Sequence, residues 1–264
     1  MPDRTLPSLP DTQAIQVDNL SVRIANSTEK LTEDAATLAI KYLQSLLTHQ
    51  EIVSIILATG NSQLQFLNKI AANKNLDWSR IALFHLDEYL GIKAEHPGSF
   101  RYYLYHKVEQ RVKPRIFNYL QGDAAQPLAE CDRYSKLLQQ QVIDLCLLGI
   151  GDNGHIAFNE PGLADFDDPK TVKLVRLEAK TRQQQVNGGY FSNLEAVPQY
   201  AYTLTIPTIC AAKKIYCLAG GNHKAEVVKK TLENAIAPNF PATILRRQSH
   251  ATLFCTVNPI SDRS

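Results

Sequence analysis

Residues 142–161 read VIDLCLLGIGDNGHIAFNEP. The first eight are the most apolar run in the chain, as a strand buried on both faces of a parallel sheet requires. The run ends on glycine, and Asp152, Asn153, His155 and Glu160 follow within a few residues. A buried strand that opens into a glycine-flanked polar loop suits an α/β sheet, whose ligands bind beyond the carboxyl ends of the strands.

The same grammar holds on either side of this stretch. Apolar runs at 21–25, 52–58, 81–86, 116–120, 171–177, 200–206, 215–219 and 252–257 read as strands. Between them, helical spacing appears at 32–47 with Thr32 as its cap, at 63–71, from the cap Ser99 to about residue 108, at 127–141 behind Pro127, and at 223–235. Alternation of this kind predicts βαβ units. The expected fold is α/β, a single doubly wound, mostly parallel sheet with helices on both faces, in a Rossmann-like three-layer sandwich. One domain is expected over residues 19–258, with residues 1–18 and 259–264 as tails.

Composition narrows the function. A net charge of +2 over 264 residues, with Lys and Arg scattered, gives no basic stripe for nucleic acid or a membrane surface. No apolar run reaches the roughly 18 residues that span a bilayer, and the start MPDRTLPSLPDTQ has no apolar signal region. The five cysteines, Cys131, Cys146, Cys210, Cys217 and Cys255, form no C-x-x-C pair, which points to core packing in a reducing compartment. A cytoplasmic protein with no nucleic-acid or membrane partner is expected; the sequence leaves homo-oligomerisation open.

Four polar clusters stand directly after predicted strands: Thr59-Gly60-Asn61-Ser62, Asp87-Glu88-Tyr89, residues 152–160, and Gly220-Gly221-Asn222-His223-Lys224. The first offers free N–H groups at a helix start, an anion site, although Asn61 and Ser62 would equally serve as ordinary caps. A partly desolvated Asp87 can act as a general base, although an Asp-Glu pair also suits a solvated turn. His155 with a nearby carboxylate suits proton transfer, although a histidine satisfied by backbone is the plainer role. No local spacing supplies a third metal ligand, and neither a G-x-S-x-G elbow nor a loop cysteine supplies a nucleophile. Gly149, Gly151 and Gly154 fit G-x-G-x-x-G, but Asn159-Glu160-Pro161-Gly162 would break a following helix within two turns, against a dinucleotide site.

Phe84-His85-Leu86-Asp87-Glu88-Tyr89-Leu90-Gly91, Glu95-His96-Pro97-Gly98-Ser99-Phe100 and residues 154–161 together resemble the glucosamine-6-phosphate deaminase family, over about residues 31–257. The sister 6-phosphogluconolactonases share the fold and a Gly-His, but continue Thr-Ala-Ser-Leu-Phe-Pro and carry Asp-Glu-Arg. The resemblance implies conversion of a hexosamine phosphate, glucosamine 6-phosphate, to fructose 6-phosphate and ammonia, with no metal or organic cofactor. It implies that Asp87 moves a proton from C2 to C1, that His155, supported by Glu160, opens the pyranose ring, and that Asn153 holds the position of a further ring-opening residue, Asp in some members and Asn in others. Thr59, Gly60, Asn61, Ser62 and Lys224 would hold the phosphate. The alternatives are a lactone hydrolase or a non-catalytic sugar-phosphate sensor.

Two departures stand out. The run after Thr59-Gly60 is Asn61-Ser62-Gln63-Leu64 rather than the family's Gly-Ser-Thr-Pro type. The family's phosphate-clamping Arg is missing before Tyr190-Phe191, an expected loss of roughly 1.5–3 kcal/mol unless Arg182 or Lys180 replaces it.

Overall fold

The computed structural model describes residues 12–256. In chain order the strands are β1 (Thr12–Val17), β2 (Leu20–Ala25), β3 (Val53–Leu57), β4 (Ile81–His85), β5 (Asp87–Tyr89), β6 (Ile116–Phe117), β7 (Leu145–Gly149), β8 (Val172–Arg176), β9 (Tyr200–Leu204), β10 (Ile215–Ala219) and β11 (Ala251–Cys255). The helices are α1 (Thr28–Leu47), α2 (Asn61–Ala71), α3 (Phe100–Leu104), α4 (Gln110–Val112), α5 (Pro127–Gln139), α6 (Ala179–Asn187), α7 (Ile206–Cys210) and α8 (Ala225–Glu233), with a π turn, Tyr105–Glu109, joining α3 to α4.

Eight strands form the main sheet in the order β1-β2-β11-β10-β7-β3-β4-β6, parallel except for β1. Strand residues alternate between its two faces. Ile56, Phe84, Cys146, Leu148 and Cys217 join the core under α5, α7 and α8. Ile55, Leu57, Leu83, Leu147 and Leu218 join the core under α1 and α2. Both faces are covered, which is why these strands read as unbroken apolar runs. The chain builds outward from β3 through β4 to β6, then returns to place β7 on the other side of β3. That reversal opens a crevice at the carboxyl ends of β3 and β7.

Residues 12–17 are a strand rather than part of a tail. Ile15 and Val17 alternate with Gln16 and pack on the core, and a turn at Asp18 (φ 50°) folds the strand back on β2. Residues 12–18 therefore do not belong to the tail expected at 1–18; residues 1–11 and the expected tail at 259–264 lie outside the described residues. Helix α1 starts before residue 32. Ser27 caps it by accepting from Lys30 N at 3.2 Å, and Thr32 sits inside, bonding Thr28 O. The runs at 171–177 and 200–206 leave the main sheet: β8 and β9 join β5 in a separate three-stranded antiparallel sheet. The two sheets share one stretch of chain. His85 still pairs with Leu57 in the main sheet, whereas Asp87 already faces Thr203 in the small one.

Candidate active site

All four polar clusters meet at one cavity of about 290 Å³ in this crevice. Its lining includes Thr59, Gly60, Ser62, Asp87, His155 and Lys224. The volume lies near the roughly 300 Å³ lower end of ligand sites, the scale of a small metabolite.

Asp87 and Glu88 divide two roles between them because successive strand residues face opposite ways. Glu88 is 0% exposed and accepts from Tyr89 N, Phe100 N, Arg101 N and the Ser99 hydroxyl at 2.7–3.1 Å. It fastens the start of α3 to the small sheet, and burial still holds its pKa above the ordinary value against those four donors. Asp87, 8% exposed, lines the cavity. Burial first, and repulsion from Glu88 second, push its pKa well up. It is the desolvated carboxylate that a general base requires.

The loop after β7 stays irregular, so the glycine fingerprint leads to no helix. Gly151 serves packing instead, for a β-carbon at residue 151 would collide with the His155 imidazole. Asn153 Oδ1 accepts from His155 N at 3.2 Å and sits 2.7 Å from its Nδ1. An oxygen accepts only, so Nδ1 carries the hydrogen and Nε2 keeps its lone pair. Burial, aided by the charge of Lys224 and opposed by Asp152, lowers the His155 pKa to about 4, so the ring is neutral near pH 7.

Glu160 is fully buried but does not line the cavity, and the expected pairing with His155 does not form. Its carboxylate accepts from Glu178 N at 3.1 Å, which ties the loop to the start of α6. The imidazole is oriented by a neutral amide, and the buried carboxylate anchors the helix beside it.

The anion cradle lies opposite. Gly60, at φ 100°, turns the chain into α2 with no side-chain cap; Gln63 N turns back to Gly60 O at 3.1 Å, and Gly60 and Ser62 bring the start of the helix to the cavity lining. Tyr103 braces this turn by donating to Gly60 O at 3.2 Å. Asn61 opens the helix; its side chain lies outside the described residues. Lys224 donates to Ile150 O and Asp152 Oδ1, both at 2.8 Å, and Gln184 donates to Asp152 Oδ2 at 2.8 Å. Neither expected substitute for the missing Arg reaches the cavity. Arg182 is spent on the carbonyls of Leu194 and Val197, and Lys180 is exposed elsewhere. Gln184, Gln185 and Tyr190 line that wall instead, so among the described residues Lys224 is the one cation in the lining. Among the described residues, no three His, Cys, Asp or Glu side chains gather as a metal site would need.

The sequence matches the model of the glucosamine-6-phosphate isomerases/6-phosphogluconolactonase family over residues 26–254. The chain belongs to that family. A glucosamine-6-phosphate deaminase of Bacillus thuringiensis (strain Al Hakam) is 34% identical over 232 residues, 88% of this chain and 86% of the relative. One from Bacillus anthracis (strain CDC 684 / NRRL 3495) matches equally. Among solved structures, a monomeric glucosamine-6-phosphate deaminase superposes with a TM-score of 0.83 at 32% identity, covering 92% of this chain and 99% of the other. A 6-phosphogluconolactonase from Shewanella baltica OS155 reaches 0.75 at 17% identity, with 92% and 98% covered, a likeness of fold. Among the described residues, Lys224 is the one lysine in the cavity lining and the Asp87 carboxylate there makes no hydrogen bond. Tyr103, Gln184, Gln185 and Tyr190 carry no signal in the sequence because none lies directly after an apolar run.

Proposed function

We propose that the chain is a glucosamine-6-phosphate deaminase, converting glucosamine 6-phosphate and water to fructose 6-phosphate and ammonia. One observation carries the reading: a desolvated carboxylate, Asp87, and a neutral imidazole with a free Nε2, His155, face one small cavity beside a helix N-terminus and a lysine.

In this mechanism the phosphate lies against the first turn of α2 and Lys224. His155 Nε2 takes the proton of the C1 hydroxyl and returns one to the ring oxygen, giving the open aldehyde. Asp87 takes the C2 proton, which the ammonium and carbonyl beside it acidify, and the substrate's own ammonium group gives up a proton to the aldehyde oxygen, leaving a neutral enolamine. Asp87 then delivers the proton to C1. The product is a C2 iminium, which water cleaves to the ketose with release of ammonia. Atoms balance and no outside electron acceptor is needed. Among the described residues no helix is long and apolar enough to cross a membrane, and a charged sugar phosphate does not diffuse through a bilayer. Both support a cytoplasmic enzyme.

The test is a coupled assay of the purified chain that measures ammonia and fructose 6-phosphate from glucosamine 6-phosphate, beside lactone hydrolysis. Both products should form and be lost in Asp87→Asn. Lactone hydrolysis alone, surviving Asp87→Asn, would favour the hydrolase reading, because opening a lactone requires no base at C2.

A further inference from the structure

His85, the last residue of β4, is fully buried and takes no direct part in the proposed reaction. Its ring bridges two backbone groups. Leu120 N donates to Nε2 at 2.9 Å, and Nδ1 lies 2.9 Å from the Asp87 carbonyl oxygen. A backbone N–H only donates, so Nε2 is the bare nitrogen and Nδ1–H donates to Asp87 O. Burial, opposed by that carbonyl and aided by the charge of Arg101, lowers the pKa to about 3, so one neutral tautomer persists. Phe117, Tyr119 and Tyr134 meet the ring edge-on, with centroids 5.6–6.3 Å away. Tyr134 accepts from His85 N at 2.9 Å and shares its hydrogen between His85 O and Asn118 O.

Such a brace matters because pairing with Thr203 in the small sheet holds only the Asp87 backbone, and among the described residues no hydrogen bond holds its carboxylate. Burial and Glu88 both disfavour its charge, and no hydrogen bond offsets them, so a loosened carboxylate would turn toward water. We propose that His85 is a positioning residue: its Nδ1–H holds the Asp87 peptide carbonyl and thereby sets the direction from which the Asp87 carboxylate enters the cavity. The proposal rests on Asp87 being the proton-transferring base. The ionisable or charged groups that face the pair are Glu88, Tyr89, Arg101, Tyr119 and Tyr134.

The two bonds of the ring can be separated. In His85→Asn the amide nitrogen replaces Nδ1 and keeps the bond to Asp87 O, losing the one to Leu120. In His85→Gln the side-chain oxygen replaces Nε2 and keeps the Leu120 bond alone. His85→Leu loses both. Steady-state kinetics across pH and a melting curve should be measured for each variant, beside Asp87→Asn. Positioning through Asp87 predicts that Gln and Leu lower kcat about 100-fold at little change in KM, the cost of a misplacement of about 1 Å, while Asn stays within about fivefold. It also predicts that the acid limb of kcat/KM moves to lower pH in Gln and Leu, as the carboxylate gains solvent.

If Gln retains kcat and Asn loses it, or if only the melting temperature moves, His85 serves the fold and the proposal fails. An active Asp87→Asn would instead overturn the assignment of the base, whatever the His85 series does.

Discussion

The cavity has two unlike walls. On the β4–β5 wall, Asp87 stands where the chain passes from one sheet to the other, with His85 behind it and Glu88 clamped by four donors. On the α6 wall, Gln184 and Gln185 face the ligand space from a helix of which Thr181 is the one buried residue, with Tyr190 from the loop just after it. That helix is moored by polar contacts: Glu160 at its start, Arg182 to two carbonyls, and Gln184 to Asp152. Proton transfer loses rate steeply when a group is misplaced, whereas a hydrogen-bonding contact to a solvated substituent tolerates adjustment. The first wall therefore suits chemistry and the second suits recognition.

The largest test of that division lies within the first wall, in adjacent carboxylates. Asp87→Asn should lower kcat by about 10²–10⁴-fold while the melting temperature holds or rises, since a desolvated charge is removed. Glu88→Gln should reverse the pattern. It turns an NH₂ group toward backbone donors and should cost about 2–4 kcal/mol in urea unfolding. Equal losses of stability in both variants would mean that Asp87 is structural too.

Next in size is the cradle. Lys224→Ala should raise KM about 10–100-fold with kcat changed far less, because it removes a charge-assisted contact of roughly 1.5–3 kcal/mol. An unchanged KM would place the phosphate elsewhere.

Much of the first wall is legible in the sequence alone. Residues 81–86 and 145–148 are mostly apolar because both faces of the sheet are covered, so the clusters at their ends announce themselves. The second wall has no such signal. The helix Ala179–Asn187 carries Val186 as its one large apolar side chain, too little for a helical stripe, so nothing in the pattern separates it from a loop. The direction of Glu160 is hidden for another reason. Proximity in sequence suggests His155, but a buried carboxylate is drawn to unpaired N–H groups at a helix start, and α6 supplies them. Strand β1 is obscured by the three prolines before it, and the role of His85 by its place inside an apolar run.

The rigidity of the first wall should depend on pH. The folded His85 pKa, about 3, lies below the ordinary 6.5, so the unfolded chain binds the extra proton between those values. The His85 contribution is complete above pH 6.5 and shrinks as pH falls, by roughly 1.4 kcal/mol per unit. Urea unfolding of wild type and His85→Leu at pH 7, 6 and 5 should show their difference in stability narrowing in that order. A constant difference would mean that the ring is protonated, or exposed, in the folded protein. Asp87 acts with the opposite sign, since its raised pKa contributes stability at low pH that is lost as pH rises.

The smallest effect belongs to the second wall. Gln184 donates to Asp152 at 2.8 Å, and Asp152 in turn accepts from Lys224 at 2.8 Å. The bond lies near solvent, so Gln184→Ala should change stability by less than about 0.5 kcal/mol. If the α6 wall recognises substrate through adjustable contacts, KM should rise about two- to fivefold, under 1 kcal/mol, with kcat and its pH profile untouched. A fall in kcat comparable to that of His85→Gln would show that α6 orients the reacting atoms as strictly as the strands do, and the contrast between the walls would be lost.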